Sequence, residues 1–226
     1  MSDLVLTISR RRAVIFDFDD TLVATLSKRK PLFWRFIQLI ADPPSSALDE
    51  VWGRPMHEML SRLAPDIDET RILEAYAAIM ELNPPVPLLP GAESVVRCLS
   101  ENGIPLLILT SSARRLVESD LSRHNLLQFF QLIWSSDEIP WAKPDARVIS
   151  PLLEWLSERG LALAETILIG DSLTDLELSR RAGIPFLAVT SGVTDRAAFL
   201  SAGCSDIIDS LEVIAGALCG GAQVPK

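Results

Sequence analysis

Cysteine is scarce in this chain and histidine scarcer, with three and two in 226 residues. Cys98, Cys204 and Cys219 are odd in number, widely separated and without a C-x-x-C pair. They support neither a zinc site nor a disulfide framework, and three free thiols are expected. His57 and His124 have no partners at metal-ligand spacing, so each reads as a surface or packing residue. No apolar run is long enough to span a bilayer, and the arginines of "MSDLVLTISRRR" follow its apolar stretch, the reverse of a secretory signal. A cytoplasmic protein with no membrane partner is expected. Positive charge is in deficit, with 21 Lys and Arg against 30 Asp and Glu and a net charge of -9. Nucleic-acid binding usually relies on a basic surface, so DNA and RNA are not expected partners. There is no internal repeat.

What is present is an ordinary globular composition, 48% hydrophobic and 23% charged, in a chain long enough for one full domain carrying a smaller insert. Short apolar runs recur: "AVIFD" (Ala13 to Asp17), "IPLLILT" (Ile104 to Thr110), "QLIWS" (Gln131 to Ser135), "TILIG" (Thr166 to Gly170) and "PFLAVT" (Pro185 to Thr190). Continuous apolar runs without alternation suit strands covered on both faces. Segments of helical spacing lie between them, at Gly91 to Asn102, Ser112 to Asn125, Ala146 to Arg159 and Leu173 to Ala182. Strands alternating with helices predict a doubly wound, parallel α/β sheet.

Between Leu22 and Pro87 the rhythm breaks. Only amphipathic stretches occur there, among them "PLFWRFIQLI" (Pro31 to Ile40), "PMHEMLSRL" and "ETRILEAYAAIMEL" (Glu69 to Leu82). The expectation is an all-helical cap at 22–87, inserted into a core formed by 1–21 and 88–226, with hinges near Leu22 to Thr25 and Pro84 to Pro87. Phe33, Trp34 and Phe36 fall at helical spacing and read as core of that insert. Lys28, Arg29 and Lys30 read as a solvated turn.

In open α/β sheets, ligands bind beyond the carboxyl ends of the strands. Polar residues at those ends are Asp17 and Asp19 after the first run, Thr110 and Ser111 after the second, and Asp171 and Asp175 after the fourth, with Lys143 following the third. Like carboxylates crowded at one edge repel one another and resist burial. A hard cation such as Mg2+, which prefers oxygen ligands and keeps a position for a phosphate oxygen, would relieve that repulsion. A phosphorylated ligand follows. One carboxylate could attack phosphorus, a second could supply and remove a proton, and Lys143 with Thr110 could hold the phosphoryl oxygens.

Four motifs stand in order: "DFDDT" at Asp17, "LLILTSS" around Thr110, "KPD" at Lys143 and "GDSLTD" at Asp171. On them the chain resembles the haloacid dehalogenase superfamily, in the branch of phosphoglycolate phosphatase and β-phosphoglucomutase. The resemblance covers nearly the whole chain and implies a Rossmann-like core, a helical cap and a Mg2+-dependent phosphatase of a small phosphorylated metabolite. By that resemblance Asp17 is the nucleophile and Asp19 the general acid/base. Thr110, Ser111 and Lys143 would hold the phosphoryl group. Asp17, Asp171 and the main-chain carbonyl of Asp19 would hold the metal, with Asp175 behind them. Arg54, in "WGRPMHEML", stands where the family's specificity loop reaches over the phosphate, and could bind a second anionic group. Asp20 stands where the family often has Gly; its side chain is expected to point away and to have no catalytic role.

Each residue also has a plainer reading. A DxD can cap a turn, Asp171 can cap a helix, and Lys143 and Arg54 can be solvated surface charges. Asp19 argues against dehalogenation, which needs no acid for an oxygen leaving group, and Arg54 cannot form the Schiff base of phosphonate-cleaving relatives. Met56, where the mutase branch usually has Arg, favours a hydrolase over a phosphotransferase. A phospho-accepting signalling module and a catalytically silent binding protein are the alternatives from other classes.

Overall fold

The computed structural model describes residues 8, 11–44, 46–52, 54, 56–82, 85–138 and 140–219. Its centre is a six-stranded parallel sheet of β1 (Ala13–Phe16), β2 (Leu106–Leu109), β3 (Phe130–Trp134), β4 (Thr166–Gly170), β5 (Phe186–Val189) and β6 (Ile207–Ile208), in the order β3-β2-β1-β4-β5-β6. The five apolar runs supply five strands. The sixth has two residues, too few to show as a run.

Strand periodicity explains why these runs do not alternate in polarity. Along β1, Val14 and Phe16 enter one apolar cluster and Ala13 and Ile15 the other; along β2, Leu106 and Ile108 part in the same way from Leu107 and Leu109. Successive side chains point to opposite faces, and helices cover both.

Ten α-helices are described. Of the five between β1 and β2, the first four are α1 (Thr25–Ile40), α2 (Ala47–Val51), α3 (Met56–Leu63) and α4 (Glu69–Leu82). They enclose a third apolar cluster around Phe33, Ile37, Leu60, Ile72 and Tyr76, separate from the two that flank the sheet. The core contributes α5 (Ala92–Glu101), α6 (Arg114–Arg123), α7 (Ser150–Glu158), α8 (Leu173–Ala182), α9 (Arg196–Ser201) and α10 (Glu212–Cys219). Among the described residues no helix is long and apolar enough to cross a membrane.

Helix α1 departs from the sequence expectation. It starts at Thr25 and carries Pro31 inside it, although Pro31 suits a first helical position. The helix begins early because the Asp20 carboxylate accepts the Leu26 N–H at 2.7 Å, serving as a cap where Ala24 cannot. The basic run 28–30 is therefore helical. Its middle member, Arg29, is buried and ion-paired with Asp120 of α6, which corrects the expected solvated turn. Cys98 is a second correction, being disulfide-bonded while Cys204 is free. It lies on α5, which packs on the distant α10, a juxtaposition that spacing along the chain cannot reveal.

Candidate active site

The order of the sheet locates the site. The order in which strands are added reverses at β1, whose neighbours are β2 and β4, so the crevice opens between the carboxyl ends of β1 and β4. Phe16 pairs with Ile169, and the Asp17 N–H donates to the Ile169 carbonyl at 2.8 Å. Asp17 and Asp171, one residue past each strand, thus stand together across the crevice. Asp175 joins them from the first turn of α8, whose N-cap Ser172 donates its hydroxyl to Asp175 Oδ2 at 2.6 Å. One oxygen from each of Asp17, Asp171 and Asp175 lies within 4.8 Å of the others.

All three are buried. Lys143 is buried with them and donates to Asp17 Oδ1 at 2.6 Å and to Asp175 Oδ1 at 2.7 Å. Burial alone would lower its pKa, but Asp17 and Asp175 outweigh that and hold the ammonium charged. One ammonium does not neutralise three carboxylates. Burial pushes Asp17 well above the carboxylate range, opposed by Lys143 and reinforced by Asp175 and Asp171. Asp171 is raised to about 7, chiefly by burial and then by Asp175, although the Val193 N–H donates to it at 3.0 Å. A buried oxygen cluster with excess negative charge is a donor set that fits a hard divalent cation.

Asp19 sits apart from this group. Its Oδ1 accepts the Thr25 hydroxyl at 2.8 Å and its Oδ2 the Ser112 hydroxyl at 2.5 Å, with Thr110 Oγ1 at 3.4 Å. Thr110 is buried and Ser111 half-buried at the end of β2, beside Asp19. Asp20 adopts the left-handed conformation, φ 58°, which suits Gly and is tolerated by Asp. Its carboxylate turns to Leu26, yet it still lines the crevice, and burial raises its pKa to about 7.

The crevice has a volume of about 400 Å³ and runs from the carboxylates to the inserted helices, where Trp52, Arg54, Met59 and Tyr76 line it. Arg54 is 45% exposed at the rim, 3.4 Å from Glu58. The side chains of Met56 and His57 lie outside the described residues, as do Asn83 and Pro84 of the expected hinge. His124 bonds the Val86 carbonyl at 2.7 Å, away from the crevice.

Several contributors escaped the sequence reading. Thr21 Oγ1 lies 3.4 Å from Asp17 and 3.3 Å from Asp171, sharing one hydroxyl between both carboxylates. Ser112 and Thr25 hold Asp19, and Gly192 packs against Asp171 so closely that a Cβ there would meet Oδ2 at 1.8 Å. Position in "DFDDT" and "LTSS" was the available signal for Thr21 and Ser112. Nothing local distinguishes Gly192.

Residues 14–189 match the haloacid dehalogenase-like hydrolase family, and the chain belongs to it. A phosphoglycolate phosphatase of Pseudomonas putida is 25% identical over 216 residues, covering 90% of this chain and 78% of the relative. A solved structure from Haemophilus somnus 129PT, described as a predicted phosphoglycolate phosphatase, superposes with a TM-score of 0.76 at 19% identity, over 94% of this chain and 99% of that one. A β-phosphoglucomutase-type structure from Thermotoga maritima gives a TM-score of 0.67 at 23% identity, over 93% of this chain and 100% of that one. Several of the curated relatives it matches are named phosphoglycolate phosphatases, and the two solved structures share its fold.

Proposed function

We propose that the protein is a Mg2+-dependent phosphoric monoester hydrolase that acts on a small phosphorylated metabolite through an aspartyl-phosphate. The observation that carries this reading is the meeting of Lys143 with Asp17, Asp171 and Asp175 at the β1/β4 crevice, with Asp19 two residues beyond Asp17. In this reading Asp17 attacks phosphorus and the ester oxygen departs with a proton from Asp19. Asp19 then takes a proton from the water that attacks phosphorus and returns Asp17 to its free carboxylate. Lys143, Thr110 and Ser111 hold the phosphoryl oxygens, and Lys143 offsets charge that builds on them. Asp17, Asp171 and the Asp19 carbonyl would hold the cation, with Asp175 steadying Lys143 and the metal's surroundings; the ion supplies charge neutralisation at the phosphoryl group.

The inserted helices act as the cap, limiting water while the ester is cleaved and admitting it afterwards. Arg54, on the rim, contacts outlying anionic parts of the substrate. Curated relatives named for phosphoglycolate put short acidic esters first among candidate substrates. An assay with p-nitrophenyl phosphate, with Mg2+ and with chelator, tests the proposal. Sustained metal-dependent turnover is expected; a single round of protein labelling would indicate a phospho-accepting module, and no reaction a silent fold.

A further inference from the structure

Arg29 stands between two carboxylates, Asp19 of the crevice and Asp120 outside it. It projects from α1, 5% exposed, and its Nη2 is ion-paired with Asp120 of α6, itself buried. On the other side its Nη1 lies 3.6 Å from Asp19 Oδ1. Thr25, Arg29, Phe33 and Ile37 are buried along α1 at steps of four, so they share one helix face. Thr25 and Arg29 meet Asp19, while Phe33 and Ile37 enter the apolar cluster of the inserted helices, against which Leu116 of α6 packs. Nη1 and Nε of Arg29 are buried without a hydrogen-bond partner. A buried ion pair seldom stabilises more than apolar side chains of the same size, and unpaired donors add to its cost. The fold alone therefore gives no reason for a guanidinium here. Asp19 does, because its hydrogen bonds are all to hydroxyls, Thr25 on Oδ1 and Ser112 and Thr110 on Oδ2, which turn readily between donating and accepting.

We propose that Arg29, seated by Asp120, is a positioning residue that holds Asp19 in line with the departing ester oxygen. The inference rests on the phosphatase reading and deepens its first step. As the P–O bond breaks, its electron pair passes to the ester oxygen, which takes the proton of Asp19. That transfer needs hydrogen-bond reach and alignment, and a misplacement of about 1 Å costs about 100-fold in rate. Three contacts set the carboxylate from the α1 side. Asp120 anchors the guanidinium, Nη1 attracts Oδ1, and Thr25, one turn back on the same face, bonds that same oxygen. Pro31 removes one hydrogen bond from α1, so the seat of its first turns leans on these side chains. Neither Arg29 nor Asp120 needs to touch the substrate.

The test compares kcat/KM for p-nitrophenyl phosphate and ethyl phosphate, a parameter that covers the steps through departure of the alcohol. p-Nitrophenolate leaves without a proton, whereas the ethyl ester depends on one. The double variant Arg29→Met, Asp120→Leu replaces the pair with apolar side chains and strands no buried charge. It should lose about 100-fold on ethyl phosphate and less than about threefold on p-nitrophenyl phosphate. In an Asp19→Asn background the same two substitutions should cost ethyl phosphate nothing further, because they act through Asp19. Thermal melting reports whether the double variant is folded. If it is not, Asp120→Asn, which keeps an acceptor for Nη2, carries the comparison with an expected selective loss of about tenfold. Equal losses on both esters would overturn the assignment, because the pair would then merely support the fold. So would no loss on either, or a full further loss in the Asp19→Asn background. If the wild-type enzyme turns over neither ester, the phosphatase reading falls and the positioning role falls with it.

Discussion

Lys143 Nζ lies 2.6 Å from Asp17 Oδ1, a contact that ties together residues 126 positions apart. Both groups are buried, so this pair is where the charge of the crevice is decided. Lys143→Met should lower kcat/KM for any phosphate ester by about 100- to 1000-fold, the scale of losing a group that stabilises transition-state charge. It should also destabilise the metal-free protein by about 3–5 kcal/mol, since it strips the counter-charge from buried carboxylates. Steady-state kinetics and urea unfolding check the two effects separately.

The raised carboxylates predict an unusual pH dependence for the metal-free protein. Asp171 titrates near 7 in the fold against an ordinary value of 3.8, so between those values the folded state binds more protons than the unfolded state. Stability is then highest at low pH and falls as pH rises from about 4 through 7, by up to about 4 kcal/mol for a shift of this size. Mg2+ should flatten the slope by binding the ionised form. Chemical denaturation across that range, with chelator and with Mg2+, measures it.

Asp20 contributes to the same slope without belonging to the carboxylate cluster, and burial raises it to about 7. Asp20→Asn keeps an acceptor for the Leu26 N–H and a residue tolerant of φ 58° while removing the charge. It should raise stability at pH 8 by about 1–3 kcal/mol and leave it nearly unchanged at pH 4. A loss at both pH values would show that the carboxylate is needed to start α1.

Gly192 tests how tightly the crevice is built. Its Cβ position coincides with the Asp171 carboxylate, 1.8 Å from Oδ2 and 2.5 Å from Cγ. Gly192→Ala must displace Asp171, so Mg2+ affinity should weaken by about tenfold or more while the fold survives. Titration of activity with Mg2+ reads the change directly.

Which features were legible follows from how local their causes are. Strand runs and the residues that end them are written consecutively, so "AVIFD" and "TILIG" place Asp17 and Asp171 at strand ends, and the sheet order then sets them side by side. Arg29 looked like one of three surface charges because its partner Asp120 is 91 residues away. Ser112 read only as the start of the helical segment Ser112 to Asn125, because the carboxylate it holds belongs to another strand end. Cys98 was misread for the same reason, since the packing of α5 on α10 is a property of the fold.

The most direct test of the account is to look for phosphate on Asp17 itself. Rapid acid quenching of the wild-type enzyme during turnover, followed by mass spectrometry of the peptide carrying Asp17, should reveal a transient phosphoryl adduct on that side chain. The adduct should vanish in Asp17→Asn together with turnover. Undiminished hydrolysis by Asp17→Asn, or turnover with the adduct on a different residue, would contradict the account.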